Sequence, residues 1–150
     1  MASQVRAPNA LANFKRPRAE RNKEKNRDKR ADRPGNSEDH LKCIRQLPCV
    51  CCGVLEDRSD PHHLLSTGTK ERGMGLRSPD RWSVPVCRFH HDELHRIGTK
   101  GEARFFRGFG YIAIVDLAAA LWMVTGDLEK MRRVIVANKQ QCASQQKDRK

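Results

Sequence analysis

Cys87-Arg88-Phe89-His90-His91-Asp92-Glu93-Leu94-His95 decides the fold, because nine residues hold both a metal-binding turn and a helical histidine pair. Cys87-x2-His90 repeats the form of Cys49-x2-Cys52, with residues 53–86 between the two pairs. Such a turn sets two ligands about one tetrahedral edge apart, and a second turn closes a structural zinc site. Cys49, Cys52, Cys87 and His90 are therefore the expected zinc ligands. Cys51 sits between them, where the turn should point it away. Cys43 and Cys142 have no partners at useful spacing and read as small buried or surface thiols. The plain alternative is that all six cysteines are ordinary thiols. A core this small favours the metal staple.

Five of the six histidines fall between positions 62 and 95. His91 and His95 stand four apart on an expected helix, so their imidazoles share one face and can hold one metal. His62 and His63 come just before a long loop. With His90 given to zinc, His62, His91 and His95 offer a second metal site and leave His63 over. A three-histidine site keeps coordination positions open, and open sites do chemistry. The remaining imidazole, with an ordinary pKa near neutrality, is a natural general base beside it.

Working outward, Ser37 should cap a short helix bearing Leu41, Ile44 and Leu47, stopped by Pro48. A short strand is expected around His62, and a second from Trp82 to Val86. The stretch from Leu64 to Asp80 has no periodicity, and a loop of that length is usually functional. Arg88 to Ile97 should form a helix ending at Gly98. Thr99-Lys100-Gly101-Glu102 fits a capping box opening a further helix through Phe106. Ile112 to Val124 should be a buried helix stopped by Gly126, and Asp127 should cap a last helix bearing Leu128, Met131, Val134 and Ile135. The polar tail after Asn138 is expected to fray. The class is α+β.

The 150 residues suit one domain, but hydrophobic content of 37% and a mean hydropathy of −0.78 are low for a chain packed end to end. Thirty Lys or Arg against 18 acids give +12, which favours a polyanionic partner. Half of that excess lies in Lys15–Arg33, where ten basic and four acidic residues accompany only Ala19 and Ala31 as apolar residues. Residues 1–36 are accordingly expected to be a disordered basic arm that tracks phosphates, ahead of a domain spanning 37–150. The longest apolar stretch, Tyr111 to Val124, is interrupted by Asp116 and is shorter than the ~18 residues of a membrane span. No apolar run marks a signal peptide at the N-terminus, so a cytoplasmic protein without a membrane partner is expected. Six cysteines there read better as free thiols or metal ligands than as disulfides.

Cys49-x2-Cys52, His62-His63 and Cys87-x2-His90-His91-x3-His95 together resemble an HNH endonuclease of the ββα-metal superfamily. The resemblance covers about Leu47 to Gly98. Gly73-Met74-Gly75-Leu76-Arg77-Ser78-Pro79-Asp80 through Val84-Pro85-Val86-Cys87 looks like small phage and prophage nucleases, including RecA-dependent recombination-enhancement nucleases. It implies a β-hairpin and one helix gripping a divalent metal, framed by a zinc knuckle. It further implies His62, His91 and His95 as metal ligands and His63 as the base that activates water. Asp80 stands near the place of the missing central Asn and would orient His63. His62 replaces a common Asp and makes the site softer, shifting metal preference from Mg²⁺ toward Zn²⁺, Mn²⁺ or Ni²⁺.

Hydrolysis of DNA is the expected reaction, with Lys70, Arg72 and Arg77 as loop cations for flanking phosphates. Trp82 and Phe89 read as core rather than stacking platforms, and His40 as irrelevant to the site. Asp92 and Glu93 are candidate partners for imidazole N–H groups, or ordinary surface acids. Two further readings stand beside the nuclease that acts alone. One makes it conditional on a RecA-type recombinase filament. The other is a zinc-stapled nucleic-acid-binding module without catalysis, which leaves four histidines without a task.

Overall fold

The computed structural model describes residues 33–55, 57–68 and 77–147, with side chains up to 139. The basic arm before Arg33, with Lys70 and Arg72 in the loop, lies outside the described residues, as does the Cys142 side chain. Among the described residues four α-helices accompany one two-stranded sheet, the α+β class expected.

Helix α1 (Glu38–Arg45) starts where Ser37 accepts the His40 amide at 3.2 Å, and it buries His40, Leu41 and Ile44. Strands β1 (Asp60–His63) and β2 (Ser83–Val86) pair antiparallel, His62 opposite Val84 and His63 opposite Ser83. Proline is tolerated at the facing positions Pro61 and Pro85 because a two-stranded ribbon consists of edges only. Trp82 does not begin β2 as expected. It closes a 3₁₀ turn from Asp80, and the strand begins one residue later.

Helix α2 (Arg88–Gly108) follows β2 directly and joins the two helices read from the sequence. Their junction is Gly98, at φ 64° and ψ −169°, a backbone region essentially reserved for glycine. The chain bends there without a connecting loop. Helix α3 (Ile114–Met123) starts two residues later than expected, and it is buried on one face only. Leu117, Ala118 and Leu121 are inside, whereas Met123 is 81% exposed. Helix α4 (Leu128–Lys147) packs on α3 through Met131 and Ile135, and it continues through the tail expected to fray.

The segment before α1 is pinned to the start of the 3₁₀ turn, so folded structure begins ahead of Ser37. Asn36 Oδ1 accepts the Asp80 amide at 3.1 Å, Gly35 O accepts the Arg81 amide at 2.8 Å, and Arg33 Nη1 donates to Arg77 O at 3.0 Å. Gly35 has φ +83°, and a Cβ there would meet the Arg81 and Pro79 side chains at 3.0 and 3.1 Å. No helix among the described residues is long and apolar enough to cross a membrane.

Candidate metal centre

Two groups of ligand-bearing side chains flank the start of α2. The first is Cys49, Cys52, Cys87 and His90, whose ligand atoms all lie within 4.8 Å of one another. Cys49 and Cys52 sit on a tight turn. The Gly53 amide donates to Cys49 O at 2.7 Å, the Cys49 amide donates to Val54 O, and Val50 N donates to Pro85 O in β2. Cys87 is the N-cap of α2, which brings His90 over the turn one helical step later. His90 Nδ1 is 3.0 Å from Cys87 Sγ and 3.6 Å from Cys49 Sγ, and Cys52 Sγ is 3.9 Å from Cys87 Sγ. Zinc–sulfur bonds of about 2.3 Å give tetrahedral edges of about 3.5–3.8 Å, so the group fits zinc. Cys51 is buried outside the group, but its thiol hydrogen-bonds Cys49 rather than pointing away, which holds the Cys49 pKa well below the usual thiol range. Cys43, on α1, is half-buried against the core.

The second group is His62, His91 and His95, again with ligand atoms within 4.8 Å. β1 delivers His62, and the first half of α2 delivers His91 and His95 one turn apart. The rings meet edge to face, with centroids 5.5 Å apart for His62 and His91 and 4.5 Å for His91 and His95. Burial falls from His62, 1% exposed, through half-buried His91 to exposed His95, so the group opens toward solvent on the His95 side. Burial and the neighbouring imidazoles push the His91 pKa down to about 4, which leaves it neutral and able to ligate near pH 7. His62 Nδ1 and His91 Nδ1 are buried and have no hydrogen-bond partner among the described residues. Three clustered imidazoles, with His62 Nδ1 buried and without a hydrogen bond, fit a borderline divalent metal.

Carboxylates stand behind these rings. His62 Nε2 donates to Glu102 Oε1 at 2.9 Å, and His91 Nδ1 lies 3.7 Å from Asp60 Oδ2. His63 does not belong to the three-histidine group. Successive strand residues project to opposite faces, and His63 Nε2 donates to Asp80 Oδ1 at 2.7 Å. The other Asp80 oxygen accepts the Ser37 amide at 3.2 Å. Both side chains of the His63–Asp80 pair are almost wholly buried.

Several neighbours differ from their expected places. Glu102 does not serve as a capping-box residue. Its two oxygens accept the Leu65 and Ser66 amides at 2.9 Å, because the bend at Gly98 turns it inward. Asp92 and Glu93 pair with Arg88 and Arg96 on the helix surface. Phe89 is 72% exposed rather than core, since the first turn of α2 gives its inner side to His90. Trp82 does pack against the core. His40 is buried, and its Nδ1 lies 2.6 Å from Thr125 Oγ1. Its pKa falls to about 4, through burial first, against the opposing pull of Asp80. Arg77 is exposed beside the Asp80 turn.

Fold and site together define a small α+β protein with two His/Cys groups suited to metal. The chain belongs to the family described as "Protein of unknown function (DUF968)", whose model matches residues 14–121. That span contains both ligand groups and Glu102. Over 58 residues the chain is 43% identical to the "Uncharacterized protein YdfU" of Escherichia coli (strain K12). The match covers 39% of this chain but only 16% of that relative's length. No solved structure matches.

Proposed function

We propose that this chain is a metal-dependent HNH endonuclease that hydrolyses DNA phosphodiester bonds. The observation that carries the reading is the convergence of His62, His91 and His95 next to a buried His63–Asp80 pair. A hairpin leading directly into a ligand-bearing helix, with a Cys/His group at the junction, supports the ββα-metal reading. The charge of +12 supports a nucleic-acid partner.

His62, His91 and His95 would hold a divalent metal, which offsets the negative charge developing on the phosphate and the departing 3′ oxygen. The chain's own residues handle the water. His63, with Nε2–H committed to Asp80, presents the basic nitrogen Nδ1 and takes a proton from a water opposite the 3′ oxygen. The water oxygen bonds to phosphorus as the P–O3′ bond breaks, leaving a 5′-phosphate and a 3′-alkoxide that takes a proton from solvent to become the 3′-hydroxyl; His63 returns its proton to solvent. Asp80 prevents the ring from turning and stabilises the imidazolium that forms. Arg77 is exposed and suited to a flanking phosphate, and Lys70 and Arg72 belong to the same proposal.

Plasmid nicking with Mg²⁺, Mn²⁺, Zn²⁺ or Ni²⁺, with and without a RecA-type recombinase filament, tests the reading. Metal content is measured on the same samples. Cleavage with two metals bound per chain is expected. One bound metal and no cleavage under any condition would leave the zinc-stapled binding module in its place.

A further inference from the structure

Glu102 is 1% exposed, and burying a carboxylate is costly unless its lone pairs are used. Two backbone amides of the segment after β1, Leu65 and Ser66, account for part of its capacity. Its third partner is His62, 40 residues away in sequence, at 2.9 Å. An oxygen of a carboxylate accepts, so the ring nitrogen facing it must carry the proton. His62 is thereby fixed as the Nε2–H tautomer, and its lone pair resides on Nδ1. That nitrogen is buried without a hydrogen-bond partner among the described residues. Glu102 itself is outside the three-histidine group and holds the Nε2 side of the ring.

Resting on the metal-site reading above, we propose that Glu102 is a positioning residue that locks the tautomer and orientation of His62 for metal binding. The bend at Gly98 lets one helix supply both sides of the arrangement. Its first half brings His91 and His95 to the metal, and its second half returns Glu102 to the back of His62. Glu102 also clamps the first residues of the loop after β1, so ring orientation and loop anchorage rest on a single carboxylate.

Glu102→Gln is the informative change, because an amide cannot satisfy all three donors. If its oxygen accepts the backbone amides, its NH₂ faces His62 and favours the Nδ1–H tautomer, which cannot ligate through Nδ1. The experiment titrates Ni²⁺ into full-length protein already loaded with zinc at the Cys/His group, using calorimetry. His91→Ala serves as the control for the site itself. Glu102→Gln should weaken Ni²⁺ binding by about 10–100-fold and keep one zinc. Long-range ¹H–¹⁵N NMR of the wild-type chain should report His62 as the Nε2–H tautomer. Unchanged Ni²⁺ affinity in Glu102→Gln, with His91→Ala impaired, overturns this proposal alone. Unchanged affinity in both variants overturns the metal-site reading itself. Should Glu102→Gln fail to fold, the wild-type tautomer decides, and Nδ1–H at His62 refutes the proposal.

Discussion

His63 and His91 have different partners, and substitution should separate them. On the nuclease reading proposed above, His91→Ala would remove a ligand, lower metal affinity and abolish cutting, and His62→Ala and His95→Ala should resemble it. His63→Ala should retain the metal and DNA binding while cleavage falls about 10²–10⁴-fold, with residual activity rising with pH as hydroxide replaces the base. Calorimetry and a nicking rate for each variant check this, and loss of metal in His63→Ala would refute the assignment. His40 gives a second measurement. Its folded pKa of about 4 lies below its ordinary 6.5, so between those values the unfolded chain binds a proton that the folded chain refuses. Stability should be full above pH 6.5 and fall toward pH 4, by about 1–2 kcal/mol between pH 7 and 5. Urea unfolding should show this slope flattened in His40→Asn. The histidines were legible because ligand chemistry requires particular residue types at short spacing. Asp60 and Glu102 were not, because a carboxylate acts across space and Glu102 also satisfied a local capping pattern.

Elements were legible wherever a single local signal sets them. The Ser37 cap and the hydrophobic faces of α1 and α4 are of this kind. The boundary at Gly98 was visible, but not its consequence, since a glycine that ends one helix can also bend it into the next. Gly98→Ala meets no atom within 4 Å, so its cost is backbone strain alone, about 1–3 kcal/mol. Thermal unfolding should show that loss, accompanied by weaker binding of the second metal as Glu102 shifts. The Cys49–Cys52 turn stands apart, because coordination energy at a zinc held there would be folding energy. Cys49→Ser or Cys87→Ser should lose zinc and cooperative unfolding. Cys51→Ser should keep its zinc, and loss equal to that of Cys49→Ser would mean the ligand set is wrong.

For the whole molecule, the place where the chain is cut matters. Removing residues 1–32 deletes ten basic and four acidic residues, a net of +6, and should flatten the salt dependence of DNA binding while sparing cleavage at saturating DNA. Removing 1–36 also takes Gly35 and Asn36, which hold the Arg81 and Asp80 amides, and should slow cleavage as well. Equal turnover by both truncations would show that this clasp contributes nothing to His63. His90 and His91 are neighbours on the first turn of α2, one grouped with the cysteine sulfurs and the other with His62 and His95. Rotation of that turn cannot be optimised for one ion without affecting the other. Linkage then demands reciprocity: whatever factor zinc adds to Ni²⁺ affinity, Ni²⁺ must return to zinc. Titrating each ion in the presence and absence of the other measures that factor twice. A factor other than one would make zinc an effector of the second ion as well as a staple.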